Sequence, residues 1–120
     1  MEISKFTELF YVHLFHILII GAFLLYIGIV KTNMPQFMYK IIFVVGMLII
    51  LIHGYKAILK YGTAKSYLWV NLLHIFIVAP ILLIIGWYGS KTPYYYFHFD
   101  LMLAFAAIGY HSYFMIKELV

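Results

Sequence analysis

Six histidines, at positions 13, 16, 53, 74, 98 and 111, are the residues of this 120-residue chain best suited to chemistry, because Cys and Arg are absent and the acids are only Glu2, Glu8, Asp100 and Glu118. Neutral imidazole ligates first-row metals and haem iron, and its charge changes near neutral pH, so it also carries protons. Without Cys there are no thiolate metal sites and no disulfides. Motifs for phosphate binding, nucleophilic catalysis or paired carboxylates are missing. That excludes an independent enzyme of those classes and leaves at most an electron-transfer or redox component.

Four of the six histidines are related by one offset. Sliding the sequence along itself by 58 positions, the separation of His16 from His74 and of His53 from His111, aligns 9–59 with 67–117 without a gap. About a quarter of the aligned pairs are identical, against roughly a tenth expected from residue frequencies. His16-Ile17 falls on His74-Ile75, Leu24-Leu25 on Leu82-Leu83, Ile27-Gly28 on Ile85-Gly86, Pro35 on Pro93, and His53-Gly54-Tyr55 on His111-Ser112-Tyr113. His13 falls on Asn71 and His98 on Lys40, so these two stand outside the repeated set.

The elements that carry the histidines follow from composition. With 67% hydrophobic and 10% charged residues, a chain of this size in water would expose large apolar patches, so the lipid bilayer is its solvent. Four apolar runs, roughly 9–30, 36–59, 67–88 and 95–117, each have the ~20 residues that cross ~30 Å of hydrocarbon as a helix. They are separated by Lys31-Thr32-Asn33-Met34-Pro35, by Lys60-Tyr61-Gly62-Thr63-Ala64-Lys65-Ser66 and by Gly89-Ser90-Lys91-Thr92-Pro93. A closed barrel would need shorter segments of alternating polarity. The predicted fold is a single all-α transmembrane domain over 1–120: a four-helix bundle of two tandem helical hairpins, with sequential helices as antiparallel neighbours and a pseudo-two-fold axis along the membrane normal.

Lysine sets the expected orientation. Lys5, Lys56, Lys60, Lys65 and Lys117 fall on the side of the termini, and Lys31, Lys40 and Lys91 on the other, so the termini are expected in the cytoplasm. The mixed-charge start at Met1–Glu8 lacks the pattern of a cleaved secretory signal, and the first span is expected to be retained. Trp87, Tyr88, Tyr94, Tyr95, Tyr96, Phe97 and Phe99 are expected to form an interfacial belt around the third loop. The isolated lysines make no basic stripe, so no nucleic acid is expected as partner. Gly21, Gly28, Gly46, Gly54, Ala79, Gly86, Ala104, Ala106, Ala107, Gly109 and Ser112 suit close helix packing, within the chain or in a homo-oligomer. Pro80, opposite Ala22 in the repeat, is expected to kink the third span alone.

At 1.5 Å per residue, His16, His53, His74 and His111 all lie roughly 5–9 Å from the midplane on the terminal side. Ionisable side chains at that depth face a partner or a function. Gly46 and Ala104, seven residues before His53 and His111, predict space beside those imidazoles, and the leading reading is bis-histidine ligation of haem b for electron transfer with a quinone or a soluble redox partner. That plan is similar in general outline to small membrane b-type cytochromes. In the alternatives, the same four histidines hold a Zn, Cu or Fe ion, line a proton or ion pathway, or act as hydrogen-bonding glue in a structural or assembly subunit. Tyr55 and Tyr113, two residues after their histidines, should point elsewhere. His13 is read as interfacial and solvated, Asp100 as a cap or interfacial residue in the first turn of the fourth helix, and His98 as lacking an outer-side partner.

Overall fold

In hydrocarbon a backbone must satisfy its own N–H and C=O groups, and a helix does so within one segment. All four apolar runs are helical in the computed structural model, which describes residues 3–62 and 68–120, with side chains over 7–62 and 68–120. Helix α1 begins at Ile3 and carries the span Thr7–Asn33; α2 is Gln36–Lys60, α3 is Leu68–Lys91 and α4 is Tyr94–Leu119. Each span, at 24 to 27 residues, is long and apolar enough to cross a membrane, as in a multi-pass membrane protein. Large apolar side chains such as Leu18, Leu51, Phe76 and Phe105 are exposed at mid-span, where lipid would meet them. The side chain of Lys5 and the loop residues 63–67, Lys65 among them, lie outside the described residues.

The helices fall into two compact units. One comprises 1–30 with 98–120, which is α1 with α4, and the other 31–97, which is α2 with α3. The tight helix pairs are therefore not the sequential hairpins alone: each unit takes one helix from 9–59 and one from 67–117. In the α1/α4 unit the buried residues of α1 are His13, Gly21, Leu24, Ile27 and Gly28, and those of α4 include Asp100, Ala104 and His111. In the α2/α3 unit they are Tyr39, Ile42 and Gly46 on α2 and Asn71, Val78, Ala79, Leu82 and Ile85 on α3.

Glycine sets how closely the paired helices approach. A methyl group at Gly28 would stand 2.9 Å from the Leu101 Cβ, and one at Gly86 would stand 2.7–2.8 Å from the backbone N and Cα of Phe43. Not every small residue packs within its unit: a methyl at Gly54 or Gly109 would meet nothing within 4 Å.

Both odd-numbered helices carry the same irregularity. A five-residue π-turn covers His16–Ile20 in α1 and His74–Val78 in α3, with the Gly21 N–H bonded to the His16 carbonyl and the Ala79 N–H to the His74 carbonyl. Proline was expected to distort α3 alone. Because α1 makes the same turn with Ala22 where α3 has Pro80, the turn houses the proline and is not caused by it. The ends of these two helices also match: 3-10 turns span Lys31–Asn33 and Gly89–Lys91, each entered at a residue of positive φ, Lys31 at 55° and Gly89 at 57°. In the second of these turns the buried Thr92 hydroxyl donates to the Gly89 carbonyl at 2.6 Å.

The seven aromatics expected in the belt differ in exposure, and Tyr96 is half-buried. Trp87, Tyr88, Tyr94, Tyr95 and Phe99 are exposed, whereas Phe97 is fully buried and belongs to the core.

Candidate histidine site

The π-turns start at the layer histidines for a local reason. His16 Nδ1–H donates to the Val12 carbonyl at 2.7 Å, and His74 Nδ1–H donates to the Val70 carbonyl at 2.6 Å. Each ring thus takes an acceptor one turn back on its own helix, a bond that competes with the regular ladder.

The structure brings the four layer histidines together as two pairs, one inside each unit. His16 stacks on His111 with ring centroids 4.3 Å apart and planes 19° from parallel. His53 stacks on His74 at 4.1 Å and 11°. His111 is buried and the other three are half-buried.

The even-helix histidines are held from across the helix contact. His53 Nδ1–H donates to Asn71 Oδ1 at 3.0 Å, while His111 Nδ1 meets His13 Nδ1 at 2.9 Å. In the second bond one ring must donate and the other accept. His13 Nε2 stands 3.6 Å from Glu118 Oε1, and an Nε2–H directed at that carboxylate leaves the His13 Nδ1 lone pair to accept from His111. With that assignment all four layer imidazoles carry hydrogen on Nδ1 and a lone pair on Nε2.

His13 is therefore not a solvated interfacial residue as expected: it is buried and orients His111. Asn71, 3% exposed, does the same for His53, and its Nδ2 has no hydrogen-bond partner among the described residues. The signal for both was in the repeat, which puts a polar residue at this register in each copy. Glu118 gave no such signal, since its counterpart is Lys60.

Two other expectations change. The space predicted beside the even-helix histidines is filled in the α2/α3 unit, where Leu83 packs against Gly46 so closely that a methyl there would stand 3.0 Å from it. Asp100 caps nothing: α4 starts six residues earlier at Tyr94, and Asp100 is fully buried with both carboxyl oxygens lacking hydrogen-bond partners among the described residues. Tyr55 and Tyr113 are exposed, away from the histidines, as a 200° offset requires. His98 is exposed as well.

Among the described residues no three His, Asp or Glu side chains are placed to hold a metal ion together; each unit offers a pair of imidazoles. Comparison with known proteins found no matching family model, no matching curated protein and no matching solved structure.

Proposed function

We propose that this chain is a membrane haem b protein for electron transfer, in which His16 with His111 and His53 with His74 would each hold one haem. The observation that carries the reading is the set of Nδ1 contacts of the four rings, to the Val12 and Val70 carbonyls, Asn71 Oδ1 and His13 Nδ1. Nδ1–H bonded to a carbonyl, an amide oxygen or a second imidazole, with a lone pair on Nε2, is how protein matrices prepare histidine for iron. Ligand geometry favours haem over a bare ion, since a zinc site takes three or four protein ligands and no three His, Asp or Glu side chains among the described residues are placed to hold one together. The stacked rings, and in the α2/α3 unit Leu83 against Gly46, would have to part to admit haem, because ligation runs through the ring edge and not its face. Haem would supply one-electron exchange at iron; the chain's own residues hold the rings, set their tautomers and keep the site within apolar helices.

The proposal includes the finer architecture: two tandem hairpins, 9–59 and 67–117, forming a four-helix bundle about a pseudo-two-fold axis along the membrane normal. Its support is the recurrence, 58 positions apart, of the π-turns, the 3-10 turns entered at positive φ, the glycine contacts and the histidine pairs. Both termini lie in the cytoplasm in this reading, with a quinone or a soluble redox protein as partner, self-association through the uncovered small residues of α4, and no role for nucleic acid.

Absorption spectroscopy of detergent-purified protein supplied with haem tests it. The expected result is a Soret band with sharp α and β bands on reduction, two haems per chain, about half the haem in His111→Ala or in His53→Ala, and none in the double variant. A colourless protein after haem supplementation overturns it. One observation favours a second reading, a proton pathway: the Glu118–His13–His111 chain of contacts is present in one unit only. A colourless protein whose liposomes leak protons, with the leak reduced in His13→Asn, would establish that alternative.

A further inference from the structure

Asp100 is the only aspartate in the chain and one of two acids within the described spans α2 to α4, the other being Glu118 near the end of α4. It is 0% exposed. Neither oxygen has a hydrogen-bond partner among the described residues. Its surroundings are the close contact of α1 with α4, where a methyl group on Gly28 would stand 3.2 Å from Asp100 Oδ2 and 2.9 Å from the Leu101 Cβ.

The second unit provides the control. There Gly86 packs against Phe43 just as Gly28 packs against Leu101, and the residue before Phe43 is Ile42, fully buried. The contact therefore closes perfectly well over an apolar side chain, and packing does not call for an acid. A carboxylate with no donor in an apolar enclosure loses its hydration without compensation, whereas a neutral carboxylic acid loses far less. The ionisable residues nearest along the two helices are Tyr26 and Lys31 on α1 and Tyr96 and His98 on α4; none is hydrogen-bonded to it.

We propose that Asp100 is a proton-binding site inside the membrane span, holding its proton at neutral pH and exchanging it when the Gly28 contact between α1 and α4 opens. The ligand is the proton itself, and the site is separate from the histidine pairs: no layer histidine lies within two residues of Asp100 or bonds to it. The proposal goes beyond the haem reading and does not depend on it.

Because Asp100 is the sole aspartate, carboxyl-13C aspartate introduced by cell-free synthesis reports on it without any mutation. Infrared spectra of the labelled, membrane-reconstituted protein at pH 7 should place the isotope shift in a carboxylic-acid C=O band, and soaking in D2O should move that band slowly as the proton exchanges. An isotope shift confined to the carboxylate stretches at pH 7 overturns the proposal, as does an acid band that D2O never moves. Asp100→Ile, which installs the residue of the other unit, should fold and lose the band, confirming the assignment; an unchanged band in that variant would also overturn it. Haem content plays no part in the readout, so the two proposals fail or survive separately.

Discussion

Which nitrogen of a histidine can act is decided by what the other one is doing, and in this chain that decision is made by Val12, Val70, Asn71 and His13. The four layer histidines were legible because the repeat marks them. Their Nδ1 partners were not, because a backbone carbonyl leaves no sequence signature and a cross-helix acceptor depends on how each helix is rotated. His13 and Asn71 were half-legible, as polar residues of equal register whose burial could not be read from composition. Asn71→Leu removes the Oδ1 that accepts from His53 and should destabilise the α2/α3 unit by about 0.6–1.7 kcal/mol, the range for interhelical hydrogen bonds in membranes. Asn71→His, which copies His13, should recover most of that loss. Unfolding in mixed detergent micelles measures both, and equal stability of Asn71→Leu and wild type would show that the bond does not hold the pair.

At the scale of the helix, small residues were legible as a class but their individual roles were not. Gly86 and Gly54 lie on α3 and α2 of the same unit, yet one is pressed against the Phe43 backbone and the other faces open space. A hydrophobicity pattern does not separate these cases when nearly every position is apolar, because the usual contrast between core and surface is lost in lipid. The two glycines should therefore respond in opposite directions. Gly86→Ala forces α2 from α3, since the atoms in the way are backbone and cannot rotate aside, and should cost about 1–3 kcal/mol or more. Gly54→Ala meets no obstacle and should be neutral or stabilise by up to about 1 kcal/mol through helix propensity. Gly89 is a third case: at φ 57° and ψ −131° with only ordinary contact to Tyr39, its replacement by Ala should cost about 1 kcal/mol or more from backbone conformation alone. A single denaturation series on the three alanine variants checks the order Gly86 worst, Gly89 intermediate, Gly54 best.

For the whole molecule, length and hydropathy sufficed to count the spans, because only a helix satisfies its backbone across some 30 Å of hydrocarbon. Partner choice among those helices was not legible. Short loops pointed to sequential neighbours, while the tight contacts join α1 to α4 as well as α2 to α3, since contact depends on where glycine and the layer histidines sit and not on loop length. Orientation rests on lysine alone, with Lys56, Lys60 and Lys117 at the described ends on the terminal side and Lys31 and Lys91 at the opposite loops. Positive charge is retained in the cytoplasm during insertion, which gives the termini their predicted side. The native chain has no Cys, so single cysteines report without background. In intact cells an impermeant maleimide should label Ser90→Cys, in the exposed 3-10 turn that ends α3, and should leave Val120→Cys unlabelled until the membrane is opened. Labelling of Val120→Cys in intact cells with Ser90→Cys protected would invert the molecule, and would move any partner that meets the histidine pairs from the terminal side to the opposite face of the membrane.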